Sequence, residues 1–272
     1  MANRGARTWR YAESMRRSLL LALVLGALPA ACGPGGEPRR DLVLILAERP
    51  PAPGTSPTFE RLLGTGQTFV GPLRHPDDSL ESPGPLLLRV ELFTGRHDAN
   101  HVARVWPDLP SLPEAARLSG RRALGFTTPG GVTADAGFDE FARPGQNAGL
   151  VALDDARALP AALTTALDGL AKKDAAAHLA SAPLLLFCDL GTEPDALEAA
   201  CATLDAAGHL DDAFVVVLFT DPDARLRAVL VGPGLLRGEH QAPVDPRDVF
   251  PTLARLGRIP LPGILQGRDL LQ

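Results

Sequence analysis

Apolar runs of strand length are the feature that most constrains this chain. The first, Asp41–Ala47, is apolar at nearly every position, and similar runs recur further along. A run without apolar and polar alternation predicts a parallel strand that is buried on both faces. The other runs are Arg122–Phe126, Pro183–Cys188, Ala213–Thr220 and Leu226–Val231.

Helical patterns lie between these runs. Apolar residues recur on one helical face within 159–170, within 197–204 and within 249–256. Strands that alternate with helices indicate an α/β fold with a mostly parallel central sheet and helices on both faces. No internal repeat and no second domain signal interrupts the pattern, so residues 41–272 are predicted to form a single domain.

The N-terminal region has the pattern of an export signal. A basic segment, Met15-Arg16-Arg17, precedes the short apolar run Ser18–Leu28, and small residues then lead to Cys32. The apolar run is shorter than the roughly 20 residues of a membrane-spanning helix, which favours a cleaved signal peptide over residues 1–32, with Met15 as a possible true start.

The residues around Cys32 are similar to a bacterial lipobox. Two alanines precede this cysteine, and a glycine-rich stretch follows it. The resemblance implies a lipidated Cys32 as the mature N-terminus and a flexible tether over residues 33–40. Ordinary secretion is the alternative, because Pro29 stands where a lipobox prefers an aliphatic residue.

Charge and cysteine content restrict the function classes. The mature chain carries 22 basic and 31 acidic side chains, a net charge of −9, so no nucleic-acid partner is expected. Two cysteines, Cys188 and Cys201, remain after the signal peptide. Both are predicted as buried free thiols, and whether they pair stays open.

Several polar residues receive structural interpretations. Asp154-Asp155 precedes a helix and is expected to cap it, and Gly66 is expected to end a helix. Arg121 and Arg122 stand at a corner between helix and strand, where such a pair is commonly solvated. A surface position is likewise expected for His209.

Short motifs occur in order over nearly all of residues 41–272. They are Leu42–Glu48; Thr55–Leu62 with Gly66–Phe69; Arg89–His97; Leu112–Leu118 with Gly120–Ala123 and Gly137–Phe141; Gly232–Gly234 with Asp248–Leu253; and Ile259-Pro260 with Gln266–Leu270. In this order they resemble the sulfatase family of the alkaline phosphatase superfamily. The resemblance implies an alkaline phosphatase/sulfatase-like fold.

The family's chemistry uses a divalent cation held by carboxylates, and a serine or an oxidised cysteine as nucleophile. Matched onto this chain, the carboxylate pair after the first strand becomes Glu48 and Arg49. The signature's arginine is Arg89, and the nucleophile position holds Pro85, which has no hydroxyl or thiol. A slip of three residues would place Ser82 there instead but would lose the match at Arg89.

Other family positions are also altered. One carboxylate, Asp221, follows a late strand without the adjacent histidine, and Thr127-Thr128-Pro129 replaces the family's Lys-Trp-His. A long segment that brings a further lysine and histidine in relatives is absent. The resemblance therefore implies a truncated, catalytically degenerate member, in which Arg49 or Arg89 replaces the cation by pairing with Glu48 and Asp221.

The sequence predicts an exported, membrane-anchored bacterial lipoprotein, facing the periplasm or the cell exterior. We expect a pseudoenzyme without nucleophile, metal site or cofactor that acts as an envelope binding or accessory module. Its expected partners are the membrane, through the lipid on Cys32, and an envelope protein or anionic ligand. The alternative is a residual sulfuric or phosphoric ester hydrolase using Glu48, Asp221 and Ser82, with Ca²⁺ or Mg²⁺ on Glu48 and Asp221. A paralogue without a selected function is the third reading.

Overall fold

The apolar runs form the strands of one sheet. The computed structural model describes residues 39–71, 112–128, 148–177, 182–220, 225–242, 244, 248–260 and 268–272, all within one unit, Arg39–Gln272. Every residue of β1 is buried, as expected of a strand covered on both faces. The strands are β1 Leu42–Leu46, β2 Gln67–Gly71, β3 Arg122–Thr127, β4 Ala148–Ala152, β5 Leu184–Asp189, β6 Phe214–Thr220, β7 Leu226–Val231 and β8 Gly238–Gln241.

Helices connect most of these strands. The three helices expected from apolar periodicity are present. Two further helices coincide with the motifs Thr55–Leu62 and Leu112–Leu118. A 3₁₀ turn, Ala156–Ala158, precedes the longest helix. The helices are α1 Pro57–Thr65, α2 Leu112–Leu118, α3 Leu159–Ala177, α4 Pro194–Ala206 and α5 Val249–Gly257.

The strand order across the sheet is β4-β3-β5-β1-β6-β7-β2-β8. The strands β4, β3, β5, β1 and β6 pair in parallel, whereas β7 runs antiparallel to both β6 and β2. Only the five residues 221–225 separate β6 from β7. A parallel crossover needs a dozen or more residues, so this short link requires the antiparallel pair. The predicted mostly parallel sheet is confirmed.

Alternate residues of each strand enter two different cores. Leu42 and Leu44 of β1 pack on the side of α2 and α5, here called the α2/α5 face. Val43 and Ile45 pack on the side of α1, α3 and α4, here called the α1/α3/α4 face. Helices therefore cover both faces of the sheet, which explains why its inner parallel strands are apolar throughout.

The early helix α1 is held by a side chain from α4. Both carboxylate oxygens of Glu198 accept backbone N–H groups of the first turn of α1, at 3.1 Å from Thr58 and 3.0 Å from Phe59. These amides have no partner within their own helix, and the positive end of the helix dipole favours an anion there. Glu198 thus fixes α1 against α4.

The two C-terminal motifs meet in space. The buried carboxylate of Asp248 accepts the backbone N–H of Arg268 at 2.8 Å. Four residues further on, the hydroxyl of Thr252 accepts the N–H of Leu270 at 2.9 Å. The last residues of the chain are thereby tied to α5, and Leu270 enters the core on the α2/α5 face.

The predicted caps are present. The side chain of Asp155 accepts the N–H of Arg157 at 2.9 Å and caps the 3₁₀ turn. Gly66 ends α1 with its N–H bonded to the carbonyl of Leu62 at 2.9 Å. Its backbone is extended, so the glycine is required for close approach to β7 and not for a left-handed turn: an added Cβ would lie 2.8 Å from the Leu230 carbonyl.

Arg121 and Arg122 are not solvated, and that expectation is wrong. Both are buried. Arg121 donates to the carbonyls of Arg40 at 2.6 Å and Gly257 at 2.9 Å, and Arg122 forms an ion pair with Asp174 in the last part of α3. Gly257 is the last residue of α5, so its carbonyl has no partner within the helix, and the buried Arg121 supplies the missing donor.

His209 is also more enclosed than expected for a surface residue. Its Nδ1 lies 2.8 Å from a carboxylate oxygen of Asp41, and the other oxygen accepts the N–H of Leu184 at 2.8 Å. The pair joins the starts of β1 and β5. Cys188 and Cys201 are buried free thiols, as predicted. In the part of the chain that is described, no helix has the length and apolarity needed to cross a membrane.

Candidate functional site

Four central strands end at one edge of the sheet, here called the carboxyl edge. Their pairing continues past the strand ends: Leu190 N–H bonds to the Leu46 carbonyl, Ala47 N–H to the Leu218 carbonyl and Glu48 N–H to the Gly191 carbonyl, each at 2.9 Å. These bonds hold the first residues beyond β1 and β5 in defined positions. In parallel sheets, such an edge is where ligand sites form.

Two acidic residues lie at the ends of neighbouring strands at this edge. Asp189 is the last residue of β5 and pairs in register with Leu46, two positions before Glu48. Side chains alternate along each strand, and the neighbours Phe187 and Leu46 both point to the α2/α5 face. Asp189 and Glu48 therefore belong to the same face on adjacent strands, a diagonal separation of about 7–8 Å between Cα atoms.

Their exposure differs. Asp189 is buried, with 1% of its surface accessible, whereas Glu48 is half-buried. The end of β3 covers the edge next to Asp189: the Thr128 N–H donates to the Asp189 carbonyl at 3.2 Å. A Cβ on Gly191 would lie 3.0 Å from the Thr128 hydroxyl oxygen, which shows how closely the two loops approach.

Hydroxyl groups fill the places on either side of the carboxylates. Thr127 pairs with Asp189 in the ladder, and its hydroxyl donates to the carbonyl of Thr128 at 3.2 Å. Thr220 ends β6 on the other side of β1. The ends of β1, β3, β5 and β6 thus present neutral hydroxyl groups and the acids Glu48 and Asp189, with the exposed Arg49 following Glu48.

The site residues predicted from sequence are covered in part. Glu48 and Arg49 lie at the carboxyl edge, at the end of β1, as predicted. Arg89, Asp221, Pro85, Ser82 and Cys32 lie outside the described residues, so whether Arg89 and Asp221 approach Glu48 stays a prediction.

Sequence reasoning missed Asp189. The run Pro183–Cys188 was predicted only as a buried strand, and the acid that follows it received no role. A signal was nevertheless present: a charged residue directly after a continuous apolar run marks the carboxyl end of a buried strand. Placing it next to Glu48 required the strand order β5-β1, which the sequence does not specify.

The described acids at this edge, Glu48 and Asp189, are fewer than the oxygen ligands that a divalent cation takes. Ca²⁺ takes six to eight oxygen ligands, and Mg²⁺ takes six in near-ideal octahedral geometry. Among the residues with described positions, no group of three or more His, Cys, Asp or Glu side chains is placed to hold a metal ion. The exposed Arg49, next to Glu48, adds a positive charge that would repel a cation close to it.

The two thiols are buried in the core and do not reach the carboxyl-edge acids. Both lie on the α1/α3/α4 face, away from the face of Asp189 and Glu48. Burial raises the pKa of Cys201 to about 12 and raises the pKa of Cys188 well above its ordinary value, with a smaller contribution from neighbouring acidic groups. The reactive form of cysteine is the thiolate, so neither residue is activated at neutral pH.

Comparisons with known proteins give a consistent fold. No family model and no curated protein matches the sequence. Solved structures do match: the lipoteichoic acid synthase LtaP from Listeria monocytogenes is 14% identical with a TM-score of 0.57, over 85% of this chain and 75% of LtaP. A protein in the alkaline phosphatase superfamily from Vibrio parahaemolyticus is 12% identical with a TM-score of 0.57, over 87% and 71%.

A sulfatase from Pseudoalteromonas sp. is similar as well. It is 13% identical with a TM-score of 0.52, over 85% of this chain and 71% of the sulfatase. At such identities the likeness concerns the fold, and it agrees with the order of motifs along the sequence. The chain therefore has the alkaline phosphatase/sulfatase-like fold.

Proposed function

We propose that this chain is a sulfatase-like exported lipoprotein that has lost hydrolytic chemistry and acts as a binding or accessory module at the cell envelope. The observation that carries the proposal is the end of β1. There the superfamily's carboxylate pair is matched by one half-buried acid, Glu48, followed by an exposed arginine, Arg49. A cation bound beside that arginine would lose a ligand and meet a like charge.

The end of β3 supports the same proposal. In place of Lys-Trp-His the chain has threonines, and the Thr127 hydroxyl is engaged with the backbone. A sulfate ester carries negative charge that catalysis must stabilise with cations or directed donors. Neutral hydroxyl groups offer less such stabilisation than cations do, and a negative charge on the adjacent buried Asp189 would repel an anionic ester.

Metal binding is the direct test. A ligand that binds only the folded state stabilises it by RT ln(1 + [L]/Kd), about 2.7 kcal/mol at a hundredfold excess over Kd. We expect millimolar Ca²⁺ or Mg²⁺ to leave the free energy of unfolding of the EDTA-treated protein unchanged, and calorimetry to show no tight binding. Stabilisation that Glu48→Gln abolishes and Glu193→Gln retains would sink the proposal; Glu193 is an exposed acid after β5.

A second candidate function is residual hydrolysis of sulfuric or phosphoric esters. The juxtaposition of Glu48 and Asp189 favours it, because two carboxylates on one face can position a water or share a cation with Asp221. It predicts turnover of an aryl sulfate or aryl phosphate with added divalent ions, lost in Glu48→Ala and in Asp189→Asn and kept in Glu193→Ala. Ser82→Ala separates a serine nucleophile from an activated water.

Anchoring requires its own test. Export and lipidation are proposed from the sequence around Cys32, and envelope-associated structural relatives such as the lipoteichoic acid synthase are compatible with export. Mass spectrometry of the N-terminal peptide from bacterial membranes is expected to show acylated Cys32. The Cys32→Ser variant is expected to leave the membrane fraction or to keep its signal peptide, and an unmodified cysteine in the wild-type protein would contradict the anchor.

A further inference from the structure

The strand β8 is the last strand of the described sheet, and its outer side carries no described partner. It lies next to β2 in the strand order, and no described strand follows it. Glu239, His240 and Gln241 are all exposed. Consecutive side chains of a strand point to opposite faces, so neither face of β8 is covered. A strand of this kind presents backbone groups that another strand can bind.

The ladder with β2 determines which backbone groups of β8 point outwards. Gly238 donates its N–H to the carbonyl of Gly66 at 3.4 Å, and Ala242 donates its N–H to the carbonyl of Val70 at 3.1 Å. The even-numbered residues of this segment therefore bond to β2, in agreement with the parallel register. Because backbone groups alternate along a strand, the N–H and C=O of odd-numbered residues such as Glu239 point away from the sheet.

This alternation limits the registers in which a second copy of the chain can pair with β8. In an antiparallel pair, two residues that exchange hydrogen bonds stand directly opposite each other. An odd-numbered residue of one copy must therefore face an odd-numbered residue of the other. A two-fold axis that relates the copies then passes through a residue position and not between two positions.

Charge distinguishes among the positions from 237 to 241. An axis at 239 sets Glu239 opposite its own copy, and an axis at 237 does the same for Arg237, so like charges meet. An axis at 241 sets Glu239 opposite Pro243, which has no N–H to donate. An axis at 240 sets Glu239 opposite the neutral Gln241. Only an axis at Gly238 sets Arg237 opposite Glu239, and by symmetry it does so twice.

The remaining residues suit an axis at Gly238 as well. Opposite residues that do not exchange hydrogen bonds lie about 4.5 Å apart between Cα atoms, and Gly238 meets its own copy in such a pair. Leu236, which is 78% exposed, comes to lie opposite His240 of the second copy. The ring of His240 is stacked on Phe69, with 4.7 Å between the ring centroids. The second copy therefore supplies an ordered surface that covers part of the exposed leucine.

We propose that β8 is a self-association edge, through which two copies of this chain pair antiparallel about Gly238 and extend the sheet. Reciprocal ion pairs between Arg237 and Glu239, together with the main-chain hydrogen bonds of the same residues, join the two copies. One carboxylate oxygen of Glu239 accepts a hydrogen bond from the Gln241 amide at 2.5 Å, and the other oxygen is the one that meets the arginine. Such a short segment buries less than the roughly 1,200 Å² of a stable interface, so the dimer is a reversible one.

The dimer leaves both candidate sites open. The strands β6, β7 and β2 lie between β1 and β8, so Glu48 is separated from the interface by three strands. Because β7 is antiparallel to both of its neighbours, β8 runs in the same direction as β1. The two-fold axis reverses that direction in the second copy. The two carboxyl edges therefore point to opposite sides of the extended sheet, and the dimer presents two separate sites.

Charge reversal tests the register on the full chain. Sedimentation equilibrium in density-matched detergent compares the wild-type protein with Arg237→Glu, with Glu239→Arg and with the variant that carries both changes. Arg157→Glu and Glu193→Arg, at exposed positions outside β8, are the matched controls for the changes in net charge. Circular dichroism of each variant verifies that the fold is retained.

We expect the wild-type protein to form a concentration-dependent dimer. Each single reversal sets like charges opposite each other in both symmetric pairs and should raise the dissociation constant about tenfold, whereas the two control variants should leave it unchanged. The double variant restores opposite charges and should return the dissociation constant to within about threefold of the wild-type value.

Cross-linking provides a second measurement. Gly238→Cys should form a disulfide with its own copy under mild oxidation, because Cα atoms about 4.5 Å apart lie within the range that a disulfide spans. An added Cβ at this position would lie 3.5 Å from its nearest neighbour, Nε2 of His240, so the fold has room for the substitution. Several-fold more cross-linked dimer is expected than for the exposed control Thr192→Cys.

Three results would overturn the self-association edge. The first is a chain that stays monomeric at the highest attainable concentration. The second is a dimer whose dissociation constant neither single reversal changes, since its interface then lies elsewhere. The third is equal cross-linking at positions 238 and 192.

Discussion

Two glycines at the end of α1 have opposite expected responses to the same substitution. Gly64 lies within the helix, and an added Cβ would meet nothing within 4 Å. Alanine there removes backbone freedom from the unfolded chain and should stabilise by about 0.5 kcal/mol, the low end of the usual range because the helix ends nearby. Gly66, two residues later, faces β7 directly.

At Gly66 the added Cβ would lie 2.8 Å from both the carbonyl oxygen of Leu230 and a methyl carbon of Val231. The carbonyl belongs to a strand held on both sides, so the strand cannot move aside cheaply. We expect Gly66→Ala to destabilise by about 1–3 kcal/mol, the usual cost of overpacking. The two variants should therefore differ by about 1.5–3.5 kcal/mol in their free energies of unfolding.

Equilibrium unfolding in urea, followed by circular dichroism, measures both variants against the wild-type protein. A change in midpoint without a change in slope attributes the difference to stability. The reasoning depends on the close contact between the end of α1 and β7. If Gly66→Ala is neutral or stabilising, as at Gly64, that contact is absent and the placement of α1 against the antiparallel part of the sheet is wrong.

Three further predictions concern polar and thiol groups. Arg121→Met leaves buried carbonyl groups without their donor and should cost about 2–4 kcal/mol in urea unfolding, while the exposed control Arg157→Met stays within about 0.5 kcal/mol. Glu198→Gln halves the anionic cap of α1 and should cost about 1–2 kcal/mol in the same assay, and an unchanged midpoint would contradict the capping role. Cys188 and Cys201 should resist thiol reagents at pH 8 until urea unfolds the chain; because the folded state keeps protons that the unfolded state releases, stability should fall as pH rises from about 9 towards 12.

Strand positions were predictable because a strand that is buried on both faces has a continuous apolar sequence. The run Asp41–Ala47 and the four similar runs each became a strand, and the helices with apolar periodicity followed. Of the other three strands, β2 begins within the motif Gly66–Phe69, and two escaped notice for a physical reason. Gly238–Gln241 lies at the edge of the sheet with polar, exposed residues, and Ala148–Ala152 is a short edge strand rich in alanine and glycine. Edge strands need no apolar faces, so composition does not reveal them.

The polar interior was harder to predict than the strands. Arg121 and Arg122 are charged residues at a chain corner, where solvent is the usual environment, yet both guanidinium groups are buried. Their partners are a carbonyl at the end of α5 and a carboxylate of α3, over 130 and about 50 residues away in the sequence. No local pattern encodes such partners, because they arise only when the helices have packed on the sheet.

The division between strand interiors and strand ends explains how this fold can tolerate substitutions at its carboxyl edge. The fold is stabilised by residues such as Leu44 and Val217, which are fully buried and each gain roughly 1.5–3 kcal/mol from leaving water. The site lies at positions just past the strands, where Arg49 is exposed and Glu48 is half-buried. Substituting a ligand there removes little buried apolar area, so the chemistry can change while the sheet keeps its order and register. Asp189 is the exception, because it is buried at the strand end, and it is therefore the acid whose replacement best tests whether this edge still binds or reacts.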